Sequence, residues 1–126
     1  MRLLLDSHVA LWWLAGDPNV GAETTAIIHT ADTVYFSPVT PWELEIKRSL
    51  GKINFPDGLV GELVAAGLEE QPITSSHAQA AAALPHHHRD PFDRMLVAQA
   101  TIELLSLVTA DATLKAYDLP IINARV

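Results

Sequence analysis

Asp6, Glu43, Asp93 and Asp111 lie far apart along the chain, yet each stands where a fold could turn it toward one shared point. Asp6 directly follows the apolar run RLLL, Glu43 closes the tetrad TPWE, and Asp111 comes two residues after SLVT. Asp93 sits inside HHHRDPFDRMLV, just ahead of a strongly apolar run. Four clustered carboxylates repel one another, and some must take up protons unless a cation intervenes. All-oxygen ligands favour Mg²⁺ or Mn²⁺ over zinc. The chemistry such a site suits is phosphodiester hydrolysis. One cation generates hydroxide from bound water, and the same ion or a second about 3.5–4 Å away stabilises the leaving oxygen. Bound cations also reverse the local sign of charge, so a polyanion can approach.

The orientation of Asp93 decides whether this chemistry is available. Asp93, Leu96, Val97, Ala100 and Leu104 share one helical face by the i, i+3, i+4, i+7 rule. Asp93 therefore heads an apolar stripe and points toward the core side, where a carboxylate is costly unless paired or metal-bound. Asp90, one turn earlier, is placed for capping. A plainer account stands beside this one. Aspartate at a helix start is common because it accepts orphan backbone donors and suits the positive dipole end. Asp111 could cap a short helix in the same way. Glu43 has Lys47 four residues on, a surface pair contributing roughly 0.3–0.5 kcal/mol.

Positioning the acids requires strands that end beside them. Arg2–Leu5 reads as a buried strand, His8–Ala15 as a helix stopped by Gly16, and Ala22–Ala31 as a second helix. Thr33–Ser37 is β-branched and aromatic, a strand. Thr40-Pro41-Trp42-Glu43 has the form of a helix start (cap, proline in the first turn, acid at the third position), and that helix runs to about Leu50. Gly58–Ala66 is a weaker helix, Gln71–Thr74 a short strand, and Ser76–Leu84 an alanine-rich helix ended by Pro85. A long helix covers Pro91–Leu104; Ser106–Thr109 and Pro120–Ile122 are the last strands, with a short helix near Ala112–Tyr117 between them. Strands alternating with helices imply a three-layer α/β/α fold with a mostly parallel central sheet. Such sheets bind ligands at the carboxyl ends of their strands. Asp6, Glu43 and Asp111 fall on that edge by strand direction; Asp93 joins them if its helix N-terminus approaches the same edge.

At 126 residues the chain is expected to form a single domain, 1–126. Its 49% apolar content fits a compact fold and not a disordered one. The absence of cysteine removes a disulfide framework, a thiolate metal site and a cysteine nucleophile, and is compatible with the cytoplasm. The N-terminal MRLLLDSHVALWWLAG is interrupted by Asp6 and His8 and has no small-residue cleavage site, so it is not read as a leader. No apolar run is long enough for a membrane span. A net charge of −7 argues against stable, salt-sensitive nucleic-acid binding but permits transient action on it through bound cations.

The histidines offer a weak rival metal site. His86, His87 and His88 are adjacent in a loop without helical ligand spacing, so a polar loop is expected. His8 reads as packed or surface, and Trp12-Trp13 as core and interface.

Four blocks, LLLDSHVALWWL, TPWELEIK, HRDPFDRMLVAQA and LVTADATLKAYDLPII, occur in the order and spacing of PIN-domain proteins. Over nearly the whole chain the sequence resembles the VapC toxins of bacterial type II toxin–antitoxin systems. The resemblance implies a PIN-like fold and a Mg²⁺- or Mn²⁺-dependent endoribonuclease whose acidic quartet is Asp6, Glu43, Asp93 and Asp111. It makes Asp6 and Asp93 the firmest metal ligands, with Glu43 and Asp111 completing the shell or orienting water. Small hydroxyl residues, Ser7 and Thr109, fall beside the acids. It further implies RNA as substrate, arrest of translation, a cognate VapB-type antitoxin, and a homodimer or toxin–antitoxin hetero-oligomer. Trp12, Trp13 and Trp42 are candidates for the antitoxin surface. Two alternatives compete: a phosphate-accepting receiver-like Mg²⁺-binding domain, and a non-catalytic interaction module whose acids only cap helices.

Overall fold

The computed structural model describes residues 1–126. Five strands, β1 (Arg2–Leu5), β2 (Thr33–Phe36), β3 (Glu69–Glu70), β4 (Ser106–Thr109) and β5 (Ile121–Asn123), form one sheet in the order β3-β2-β1-β4-β5. Every pairing is parallel. The helices between them are α1 (Ser7–Ala15), α2 (Ala22–Thr30), α3 (Val39–Ser49), α4 (Leu59–Ala65), α5 (Ser75–Ala83) and α6 (Pro91–Glu103), with a 3₁₀ turn at Ala112–Ala116.

The continuous apolar run of β1 follows from burial on both faces, which a parallel sheet requires. Leu3 and Leu5 pack on one side with Val9, Ala10, Ile28, Leu59 and Leu63, from α1, α2 and α4. Leu4 points to the opposite side and joins Val39, Leu96, Val97 and Ala100, from α3 and α6. The period-two alternation of a strand thus divides the core into two layers of side chains around the sheet. Chain order reverses direction at β1: β2 and β3 lie on one side of it, β4 and β5 on the other. A reversal of this kind opens a crevice at the carboxyl ends of the two central strands. Asp6 follows β1 and Asp111 follows β4, so both stand at that crevice.

Most element bounds shift by a residue from the sequence expectation, and three departures have a plain physical cause. The third strand is Glu69–Glu70, not Gln71–Thr74. Gln71 donates one last bond to the Phe36 carbonyl at 2.8 Å, after which Pro72 has no N–H for the ladder. Two exposed glutamates have little strand propensity, but their charge protects a sheet edge. The third helix starts at Val39, one residue after Pro38, and Ser37 fixes the turn that leads into it, its Oγ accepting from Val39 N at 3.1 Å and its carbonyl from Thr40 N at 2.9 Å. Thr40, expected to cap, is buried instead, with Oγ1 3.2 Å from Ser7 Oγ. Ser7, not His8, is the first residue of α1, since Asp6 caps it by accepting from Val9 N at 2.9 Å.

Gly21 precedes α2 where the C-terminal strand of chain crosses it. A Cβ there would sit 2.3 Å from the Val126 carbonyl carbon, an overlap with backbone that no side-chain movement relieves. Gly21→Ala is expected to displace residues 124–126 and to lose the bonds from Gly21 N to Ala124 O and from Glu23 N to Val126 O. A thermal melt should register a loss of about 1–3 kcal/mol; an unchanged melting temperature would contradict the packing described.

Candidate active site

The crevice at the carboxyl ends of β1 and β4 is a cleft of about 500 Å³ lined by Asp6, Glu43, Asp90, Asp93 and Asp111, together with His8, Trp12, Lys47, His88, Ala110 and Arg125. All four acids of the predicted quartet therefore face one space, and they arrive there from different elements. Asp6 is the cap of α1, Glu43 lies in the second turn of α3, Asp93 in the first turn of α6, and Asp111 caps the 3₁₀ turn. Asp93 does turn inward, so its helix begins at the same edge of the sheet.

Asp6 is almost wholly buried. Its Oδ1 accepts from Val9 N, and its Oδ2 accepts from Thr109 Oγ1 at 2.5 Å. Burial pushes its carboxyl above the usual range, against the lowering effect of these two donors. Thr109 also accepts from Asp111 N at 3.0 Å, so one hydroxyl ties the ends of β1 and β4 together. Ser7, the other small hydroxyl, bonds Thr40 instead of an acid.

Glu43 is buried, with Oε2 accepting from Lys47 Nζ at 2.7 Å. This corrects the expectation of a surface pair: the carboxylate is inside, and Lys47 also reaches His8 Nε2 at 3.1 Å. Glu43 Oε1 has no hydrogen-bond partner although it is shielded from solvent. A buried charged oxygen left unpaired is costly and points to a missing ligand.

Asp93 caps nothing. Its pKa is raised to about 7, first by burial and then by the charges of Asp90 and Asp6, with His88 opposing and Glu43 adding to the rise. Asp90 behaves as expected: its Oδ1 accepts from Phe92 N at 2.8 Å and Asp93 N at 3.4 Å, capping α6. Asp111 differs from both buried acids. Burial alone would raise it, but donors from the Thr113 hydroxyl and backbone and from His88 hold it below the usual carboxylate range.

His88 was expected in a polar loop and is found in the cleft. Its Nε2 lies 2.9 Å from Asp111 Oδ2 and 3.3 Å from Asp93 Oδ2. His88, Asp93 and Asp111 alone of the cleft residues place their ligand atoms within 4.8 Å of one another. His88 stands two residues before the cap Asp90, and that spacing returns its ring to the acids. His8, expected to be packed or exposed, lines the cleft. Sequence reading passed over Arg94, whose buried guanidinium fixes the loop before α6.

Trp12 lies between the acid cleft and a larger apolar groove of about 820 Å³ formed by α1, residues 53–57 and α4. Arg125 stacks over its ring at 5.3 Å. Trp13 packs edge-on against His29, and Trp42 is largely exposed, meeting Phe92 edge-on. No helix is long and apolar enough to cross a membrane.

Comparison with known proteins agrees with the geometry. The PIN domain family matches residues 3–119. Ribonuclease VapC22 of Mycobacterium tuberculosis is 31% identical over 121 residues, covering 94% of this chain and 93% of its own. Among solved structures, VapBC2 from Rickettsia felis bound to a promoter DNA fragment aligns with a TM-score of 0.71 at 15% identity, covering 98% of both chains. FitAB bound to a DNA fragment aligns at 0.69 and 20% identity over 98% of this chain and 96% of the other. A toxin–antitoxin complex from Klebsiella pneumoniae aligns at 0.69 and 14% identity over 97% of each. The parallel sheet between two helical layers, ending at an acid-lined cleft, is an arrangement in which the matched family fits the fold. The chain belongs to the PIN-domain family.

Proposed function

We propose that this chain is a metal-dependent endoribonuclease, the toxin of a type II toxin–antitoxin pair, which hydrolyses RNA phosphodiester bonds and inhibits translation. The observation that carries this reading is the gathering of Asp6, Glu43, Asp93 and Asp111 on one cleft in a PIN-domain chain that is 31% identical to a ribonuclease.

The residues fit a divalent cation. Five carboxylates line the cleft against two permanent cations, Lys47 and Arg125, and Glu43 Oε1 is buried with no partner. The donors are oxygens, which suits Mg²⁺ or Mn²⁺. Asp93 and Glu43 Oε1 hold uncommitted oxygen for such an ion. Asp6 keeps further lone pairs while its two hydrogen bonds fix its direction. Asp111 spends Oδ1 on Thr113 and Oδ2 on His88, so it suits the orientation of water better than direct ligation. A cation bound here would supply the positive charge that activates water at neutral pH and stabilises the departing oxygen. Lys47 holds Glu43 in place, and Arg125 at the lip offers a cation to the RNA backbone.

The rivals meet specific obstacles. A receiver-like domain needs an acid pair just after the first strand and an acceptor aspartate ending a mid-chain strand, but Asp6 is followed by Ser7-His8, and β2 ends at Phe36 ahead of Ser37-Pro38. A module with capping acids accounts for Asp6, Asp90 and Asp111; Asp93 and Glu43 cap nothing. A cognate VapB-type antitoxin is the proposed partner, in keeping with the toxin–antitoxin complex among the similar structures, and a homodimer or hetero-oligomer is the proposed assembly. The apolar groove beside Trp12 supports an apolar protein contact next to the cleft. The cytoplasm is the proposed location.

The test is RNA cleavage by the purified chain. EDTA is expected to abolish cutting and excess Mg²⁺ or Mn²⁺ to restore it. Asp6→Asn should keep the fold, because its amide oxygen still accepts from Val9 and its NH₂ can donate to Thr109, yet it should cut at least about 10²-fold more slowly. Cleavage in EDTA, or by Asp6→Asn at the wild-type rate, would refute the assignment.

A further inference from the structure

We propose that His88 is a positioning residue of the acid cleft that acts as a hydrogen-bond donor to Asp111 beside Asp93, and is not itself a metal ligand. This rests on the nuclease reading of the cleft and adds a residue outside the acidic quartet.

The argument begins with the ring nitrogens. Asp90 N donates to His88 Nδ1 at 3.1 Å, so Nδ1 must present a lone pair. The ring proton then resides on Nε2, and that nitrogen is directed at Asp111 Oδ2, 2.9 Å away, with Asp93 Oδ2 at 3.3 Å. An Nε2 that carries a proton has no lone pair to give a cation. Ligation would require moving the proton to Nδ1, where it would face the Asp90 N–H. The proximity of His88 to two acids would otherwise suggest a mixed nitrogen–oxygen metal site; the hydrogen-bond direction excludes it.

The rest of His88 is fixed as firmly as its ring. Its N–H donates to Tyr117 Oη at 3.0 Å, and its carbonyl accepts from Arg94 Nη1 at 3.1 Å. Tyr117 in turn donates to the Pro85 carbonyl at 2.9 Å. Every polar atom of the residue is thus engaged, and the imidazole cannot swing without breaking several bonds. One rigid N–H bonded to Asp111, with Asp93 Oδ2 3.3 Å away, offsets the repulsion between the two carboxylates and sets the direction of Asp111. Groups that orient metal-site carboxylates in this way are typically worth 10–100-fold in metal affinity or activity.

Three measurements test the role on the intact chain. Long-range ¹H–¹⁵N correlation on the metal-free protein at pH 8 should find the His88 proton on Nε2; a proton on Nδ1 overturns the proposal. Mn²⁺ titration should give binding weakened about tenfold or more in His88→Ala and largely recovered in His88→Gln, whose amide N–H has similar reach. Equal affinity in all three proteins overturns it. Pulsed electron paramagnetic resonance of the Mn²⁺-loaded wild type should contain no nitrogen coupling that His88→Gln removes; such a coupling makes His88 a ligand and overturns the donor role. Failure of the underlying reading looks different: the wild type itself would bind no Mn²⁺ and cut no RNA, and the donor role would fall with it.

Discussion

Asp93→Asn is expected to abolish RNA cleavage, by roughly 10²–10³-fold or more, while making the metal-free protein more stable at pH 8. The two halves of this result have one cause. In the metal-free fold, burial and the neighbouring charges of Asp90, Asp6 and Glu43 raise the Asp93 pKa to about 7. Its unfolded-state value lies near 4. Between these values the folded chain binds the proton and the unfolded chain does not, so stability falls as pH rises through that window and levels off above about 7. The Asp93 side chain is 19% exposed, so solvent relaxation reduces the cost of the charged form to on the order of 2 kcal/mol. Asparagine removes that cost and the ligand together.

A divalent cation should reverse the ranking. Mn²⁺ stabilises whichever protein binds it, by an amount set by its concentration over the dissociation constant. The wild type should therefore gain several degrees on Mn²⁺ addition and the variant little, so that their melting temperatures converge or cross. Because proton and cation compete for the same oxygen, wild-type Mn²⁺ affinity should rise from pH 5.5 to about 7 and then flatten. A variant that melts below the wild type in EDTA at pH 8, or that gains as much from Mn²⁺, would show that Asp93 is an ordinary surface acid.

The sheet and the acids could be read from sequence because each leaves a local signal. Three apolar leucines ending at Asp6 declare a buried strand and an acid at its carboxyl end, and the stripe from Asp93 to Ala100 gives the inward face of α6 directly. What escaped was decided by backbone groups remote in sequence. β3 is a strand only because Phe36 and its neighbours offer a free edge to two glutamates with no strand preference. His88 looked like one of three equivalent loop residues; its ring is selected by Asp90 N–H and by acids 5 and 23 positions away. The Glu43–Lys47 spacing was visible, but not that α3 buries the pair against α1.

Arg94 is the clearest case of such remote dependence, and Arg94→Ala is expected to have the largest effect on stability. Its side chain is buried, and its two terminal nitrogens donate to five carbonyls. Those of Ala81, Ala82 and Leu84, at 2.9, 3.3 and 2.9 Å, belong to the end of α5, where helix carbonyls lack partners and partial negative charge accumulates. Those of Pro85 and His88, both at 3.1 Å, belong to the loop that leads into α6. One planar cation therefore closes a helix end and fixes the loop that carries His88. Alanine would leave these acceptors without their donor, at about 1–3 kcal/mol for each that water cannot reach. A net loss of about 3 kcal/mol or more is expected, lowering the melting temperature by roughly 10 °C. Arg94→Lys keeps the charge but presents a single point of donation, so it should recover only part of the loss. Where Arg94→Lys remains folded, loosening of His88 should weaken Mn²⁺ binding in that variant as well. Denaturant melts and Mn²⁺ titration of the lysine variant separate the two consequences: loss of stability with unchanged Mn²⁺ affinity would mean that the loop holds His88 without help from Arg94.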